Sequence, residues 1–280
     1  MSSGPAGSRW QRFWNRGGWW RAVGLALGYL ALYLLFGQLV GLLFGDRISA
    51  DLLTDPRSVF LALVLPIAFG SAVLVIFVRS VRWTGELFGP QPVPGRRWMW
   101  IAVVVIVIPI VLRLFAISWS AYAVSVVLTV LLAGLFIGFA EELLTRGLAV
   151  QLLRRGGYGE RLVMVLSSVV FALLHSVNAL SGQPLLTLAI TIVYTFGYGV
   201  MMYLVLRVTG RLVWPMLLHA ATDPVTVLAS GGVDTSTASA GAAGLLMTAG
   251  LFNYLYVLLA LVAVILVRDR PVRSREAVTA

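Results

Sequence analysis

The stretch 98–117, WMWIAVVVIVIPIVLRLFAI, carries one charged side chain, Arg113, in its twenty positions. A helix rises about 1.5 Å per residue, so about 20 apolar residues cross the hydrocarbon core of a bilayer. The rest of the chain repeats this pattern. Apolar runs at roughly 22–44, 58–78, 121–140, 162–180, 185–206, 212–229 and 245–267 bring the expected spans to about eight. Across all 280 residues 60% are apolar and 11% charged, where a soluble domain carries about 25% charged residues. The expected fold is an all-α, polytopic membrane helix bundle, with no room for a soluble domain and no internal repeat. The first run, Ala22 to Phe44, is longer than the apolar region of a secretory signal and reads as an uncleaved anchor.

Charge sets the expected orientation. All 21 basic residues are Arg, and the net charge is +10. They lie in short clusters between apolar runs, not in one stripe, so membrane topology accounts for them better than nucleic acid. Basic loops (Arg79, Arg82, Arg96, Arg97; Arg154, Arg155, Arg161; Arg207, Arg211) alternate with loops of little positive charge. Loops rich in Arg stay in the cytoplasm. The expectation is a multi-pass cell-membrane protein with membrane lipid as its surroundings and both termini cytoplasmic. Residues 1–21 form a basic, aromatic N-terminal segment with an interfacial anchor at Arg9 to Trp20, residues 22–267 the bundle, and 268–280 a basic tail. Arg113, in the last turn of its span, is within reach of the interface by snorkelling outward. Gly24 and Gly28, and Gly37, Gly41 and Gly45, stand four apart and read as helix-packing positions. Gly85 to Gly95, with three prolines, reads as a linker or as a gate over a cavity. Residues 230–244, which include Asp234, read as a flexible external loop.

Ionisable groups inside a span cost on the order of 2.5–3.5 kcal/mol each on insertion scales. Besides Arg113 the spans hold Glu141, Glu142, Arg146 and Asp223, and both histidines of the chain, His175 and His219. Measured from the flanking arginines, Glu142 and Asp223 lie about 18 Å deep, His175 about 21 Å and His219 about 12 Å. The agreement requires the fourth helix to run on past residue 140 to the Arg154 region. His219 and Asp223, at i and i+4, share a helix face, as do Phe171 and His175. Glu142 and Arg146 have the same spacing and neutralise one another, which leaves Glu141, turned about 100° away, as the carboxylate free for chemistry. A carboxylate in such a site suits general-base work, with a histidine to orient water or carry the proton on. His219 with Asp223 suits an oxyanion or a metal ion. A polar network that only locks helices is the bland alternative, and for Glu142 with Arg146 the leading one. The absence of cysteine removes disulfides, thiolate metal sites and a Cys nucleophile. There is no HExxH and no GxSG, and the Gly-x-Gly at 197–199 is followed by Val200 rather than Asp.

Glu141-Glu142-x-x-x-Arg146, Phe171-x-x-x-His175 and His219-x-x-x-Asp223, in that order on successive helices, resemble the CPBP family, the CAAX-protease and bacteriocin-processing group also called Abi. The segment Tyr194, Gly197, Gly199, Gly210, Trp214 to His219 is similar to that family's approach to its last motif, and the resemblance covers about residues 120–229. It implies an intramembrane endopeptidase acting on a membrane-associated protein or peptide. Glu141 with His175 would activate water, His219 and Asp223 would face the scissile carbonyl, and Glu142, Arg146 and Phe171 would support them. Relatives that trim prenylated tails tend to have Asn where this chain has Asp223. An ionised Asp donates no hydrogen bond, so metal ligation or water orientation gains weight there. Zinc held by Glu141, His175, His219 and Asp223 and a metal-free glutamate mechanism are both compatible with these residues. The rival readings are a proton- or solute-coupled transporter, since Glu, Asp and His also build relays, and a non-catalytic scaffold or immunity protein.

Overall fold

A computed structural model describes residues 7–232 and 242–268. Asp234, Arg270, Arg273, Arg275 and most of the expected external loop and basic tail lie outside these residues. Among the described residues there are helices and no strand. Seven helices are long and apolar enough to cross a membrane, which makes the chain a multi-pass membrane protein.

A short helix α1, Arg9–Asn15, opens with Ser8 and Gln11 satisfying one another's free backbone N–H groups. It is tied to the end of the third helix by Trp10 Nε1–H donating to Ser80 Oγ (2.9 Å) and Trp83 Nε1–H donating to Asn15 Oδ1 (2.9 Å). The spans follow: α2, Trp19–Arg47, and α3, Pro56–Val81. Asp55 caps α3 by accepting from the backbone N–H groups of Arg57 and Ser58 (3.2 Å each), bonds that hold its carboxyl below the usual carboxylate range. After the single turn and a half of α4, Thr84–Phe88, come α5, Arg97–Ala116, and α6, Val124–Arg155. Next are α7, Glu160–Leu180, and α8, Leu185–Thr209. The last two are α9, Val213–Ser230, and α10, Ala243–Leu266.

Seven of the eight expected stretches thus qualify as spans, and α9 is the one that does not. It forms as an 18-residue helix, but Pro215, His219, Thr222, Asp223, Pro224 and Thr226 dilute its apolar content. What lipid would not accept, neighbouring helices do: α9 packs along α6 and against α5. Gly134 and Gly138 make that approach possible. A Cβ on Gly138 would lie 2.5 Å from Ala220 N and Met216 O, and one on Gly134 2.2 Å from Pro224 Cγ. Small residues are what let two membrane helices come this close. At Gly24, Gly28, Gly37, Gly41 and Gly45, read above as packing positions, a Cβ would meet nothing within 4 Å. Helix α2 is peripheral, with Leu35, Leu42 and Leu43 exposed, so its glycines face the surroundings of the chain.

The centre of the bundle is α8, whose residues from Gly197 to Arg207 are all buried. It packs between α7 and α10. Helix α6 continues past residue 140 to Arg155, as the depth argument requires, by way of a π-helical segment at Leu143–Ala149. The linker Gly85 to Gly95 is a strap tied to helix ends. Arg207 donates from Nε to Val93 O (3.2 Å) and from Nη2 to Pro94 O (2.9 Å), Arg154 Nη1 donates to Gln91 Oε1 (2.7 Å), and Gln91 N–H donates to Gly210 O (2.9 Å). Both arginines converge on Glu160, which is fully buried. Arg154 grips it with two 2.8 Å bonds, Arg207 Nη1 lies 3.2 Å away, and the Tyr203 hydroxyl donates to the same carboxylate. Burying one carboxylate is tolerable only with such compensation.

Candidate active site

Glu141 and Glu142 are the last two residues of α6 before it leaves α-helical geometry for the π-helical segment. Such segments are frequent at functional sites because the extra residue per turn re-aims side chains. The two acids precede this one and, as neighbours on the helix, point about 100° apart. Glu142 is fully buried and turned to α9, where its Oε1 accepts from His219 Nδ1–H at 2.8 Å and lies 3.3 Å from Arg146 Nη1. Glu141 keeps a quarter of its side chain exposed and borders a cavity of about 190 Å³ together with Tyr29, Tyr33, His175 and Asn178.

Arg146 explains why this corner holds its shape. Its guanidinium pairs with Glu142, donates from Nη2 to Gly199 O (2.9 Å), donates from Nη1 to Thr145 Oγ1, and lies 4.3 Å from the centre of the Phe171 ring. It therefore joins α6 to α7 and α8 at one point. Gly199 permits the approach, since a Cβ there would meet Arg146 Nη2 and Ser168 Cβ at 3.1 Å.

Both imidazoles are oriented from behind. His175 lies where α7 passes from α-helix to a 3-10 turn, and its Nδ1–H donates to the Phe171 carbonyl (3.1 Å). A carbonyl only accepts, so the proton is on Nδ1 and Nε2 is left for chemistry. His219 is fixed in the same way by Glu142, and its Nε2 is turned toward Asp223 Oδ2 at 3.5 Å and Glu141 Oε2 at 3.8 Å. Phe171 lies edge to face with both rings, at 5.0 Å from His175 and 5.9 Å from His219, and Tyr198 flanks His219 at 5.4 Å. A second cavity, of about 170 Å³, is lined by His175, His219, Asp223, Tyr198 and Arg113. His175 belongs to both cavities, with Glu141 on one side and His219 and Asp223 on the other.

The residues singled out in the sequence therefore come together from α6, α7 and α9. The pairing differs in one respect from the spacing argument. Glu142 does neutralise Arg146, but its shorter bond is to His219, which makes it the group that selects the tautomer of that ring. The sequence reading missed Tyr29, Tyr33 and Tyr198 and set Arg113 at the membrane interface. Tyrosines on apolar helix faces carry no signal of their own. An arginine within a span does, but the cavity side of α5 depends on how that helix is rotated. Among the described residues no three His, Cys, Asp or Glu side chains are grouped to hold a metal ion. With both Nδ1 atoms engaged, Nε2 of each ring is the nitrogen left to meet a ligand.

No curated protein and no solved structure matches the chain. Residues 123–225, about a third of its length, run from the start of α6 into α9 and so contain every acid and histidine of the site. This stretch matches the family model described as Rce1-like, type II CAAX prenyl endopeptidase Rce1-like, a likeness consistent with the CPBP resemblance of the three motifs.

Proposed function

We propose that this protein hydrolyses a peptide bond in a membrane-associated protein or peptide, with Glu141 as general base. One observation carries the reading: of two adjacent acids, one is sealed against an arginine and a histidine while the other faces a cavity beside the second histidine. In the step itself, the Glu141 carboxylate takes one proton from water as its oxygen bonds to the scissile carbonyl carbon. His175, through Nε2, holds that water in line. In its imidazolium form His219 donates Nδ1–H to Glu142 and Nε2–H to the carbonyl oxygen, which becomes negative as the tetrahedral intermediate forms. Asp223 cannot donate when ionised; its place is to keep His219 aimed. The C–N bond then breaks as the leaving nitrogen receives the proton held by Glu141, giving a new carboxyl end and a new amine. No metal takes part in this sequence.

The test is cleavage of a membrane-anchored peptide by purified protein in proteoliposomes, with and without chelator. We expect cleavage by the wild type, unchanged rates after chelation, and no stoichiometric metal in the active sample. Loss of activity on chelation with recovery on adding zinc would replace this mechanism by a metal-dependent one. Absence of cleavage together with flux of a solute across the vesicle would support a transporter instead.

A further inference from the structure

Tyr29 and Tyr33 stand on α2, outside the residues 123–225 that match the family model. Tyr29 is 6% exposed, and its hydroxyl has no hydrogen-bond partner among the described residues. Three other buried tyrosines are satisfied. Tyr198 donates to Thr222 Oγ1 (3.2 Å), Tyr256 to the Val105 carbonyl (3.3 Å), and Tyr203 to the Glu160 carboxylate. A buried hydroxyl left without a partner is costly, and phenylalanine would fill the same space without that cost. The hydroxyl of Tyr29 is nonetheless given room. It lies over Gly70 of α3, where a Cβ would come within 2.7 Å of it, and Tyr33 stacks against the ring with centroids 6.3 Å apart. The fold thus fixes the place of this hydroxyl, and the described residues offer it nothing to bind.

Tyr29 borders the cavity of about 190 Å³ that also holds Glu141, His175 and Asn178, and Glu141 is the carboxylate whose charge reaches both tyrosine hydroxyls. That volume corresponds to roughly six waters at ~30 Å³ each, and an ordered water needs about two to four polar partners. Carboxylate, imidazole, carboxamide and hydroxyl are all present, while Leu30, Ile67 and Ile137 give the cavity apolar walls that do not compete for the water. A water that attacks a carbonyl carbon must have its two hydrogens and one lone pair held, so that the other lone pair is aimed. Glu141 and Nε2 of His175 accept the hydrogens. A donor to the lone pair is still required, and an O–H group supplies one.

We propose that Tyr29 is a positioning residue for the attacking water: its hydroxyl donates to the water oxygen from the α2 side and holds it while Glu141 takes a proton. Tyr29 itself gives up no proton. This rests on the hydrolytic reading above and adds the group that aims its water. The experiment uses the full chain in proteoliposomes, a lipid-anchored peptide and single-turnover rates for Tyr29→Phe, Glu141→Gln and the double variant, beside thermal unfolding. Tyr29→Phe is expected to lower kcat by about 3- to 10-fold, the effect of one neutral hydrogen bond, with KM within about two-fold of wild type. Its unfolding temperature should be unchanged or raised, because a buried hydroxyl without a protein partner is removed. Once Glu141 is Gln, removing the hydroxyl should cost less than about two-fold more, since the two groups act on the same water. A wild-type kcat for Tyr29→Phe would overturn the proposal while leaving hydrolysis standing. So would a loss that is the same in both backgrounds, or one that comes with a lowered unfolding temperature, either of which marks a structural role. If the wild type cleaves no peptide, the hydrolytic reading itself fails and the proposal falls with it.

Discussion

Glu141→Gln is expected to lower kcat for peptide cleavage by about 10²- to 10⁴-fold, the range general-base catalysis supplies, with little change in thermal unfolding. The two halves of this expectation come from the same geometry. Gln keeps the shape of the side chain but has no basic oxygen to take a proton from water. The structural cost is small because Glu141 is partly exposed and its closest ionisable partner, His219 Nε2, is 3.8 Å away. Glu142→Gln behaves differently, since Oε1 of Glu142 holds both His219 and Arg146. Cleavage assays beside thermal unfolding in detergent separate the two acids. If the Glu142 variant alone loses activity while the Glu141 variant keeps it, the roles given to them are reversed.

Arg146→Met is expected to cost about 3–5 kcal/mol, as removing one partner of a buried ion pair does elsewhere. Neither side chain of the Arg146–Glu142 pair is exposed. Without the guanidinium the Glu142 charge has only His219 beside it, the Gly199 carbonyl loses its donor, and Phe171 loses the cation against its ring. The double variant Glu142→Gln with Arg146→Met should recover part of the loss, because no unpaired charge is then left in the interior. Equilibrium unfolding in mixed micelles measures both. A cost under about 1 kcal/mol for the single variant would mean that the pair is solvated, contrary to its burial.

The apolar runs made most of the fold legible, because membrane crossing constrains length and composition more tightly than any soluble fold does. Where the reading failed, tertiary packing decided. Helix α9 reads as a span of its own, yet its polar residues are accepted because Gly134 and Gly138 let α6 cover them. Spacing alone did not distinguish these two glycines from Gly37 and Gly41, which contact nothing. Small residues four apart permit close packing without requiring it. Nothing in the sequence marks out Glu160, next to Arg161, and only the fold shows Arg154, Arg207 and Tyr203 closing on it. The candidate site was more legible than its surroundings, since both histidines and the paired acids stand out against almost uncharged helices. The helix spacing gave Glu142 to Arg146 but did not reveal its bond to His219, which joins residues 77 positions apart.

The central claim is that groups from three helices act on one water and one carbonyl as a unit. Rates for Glu141→Gln, His175→Ala and the double variant, measured on the same anchored peptide under single-turnover conditions, test it most directly. Groups that work as a unit are strongly non-additive, so the double variant should be no slower than the worse single variant by more than a few-fold. Losses that multiply in full would show two independent contributions and would contradict the shared site.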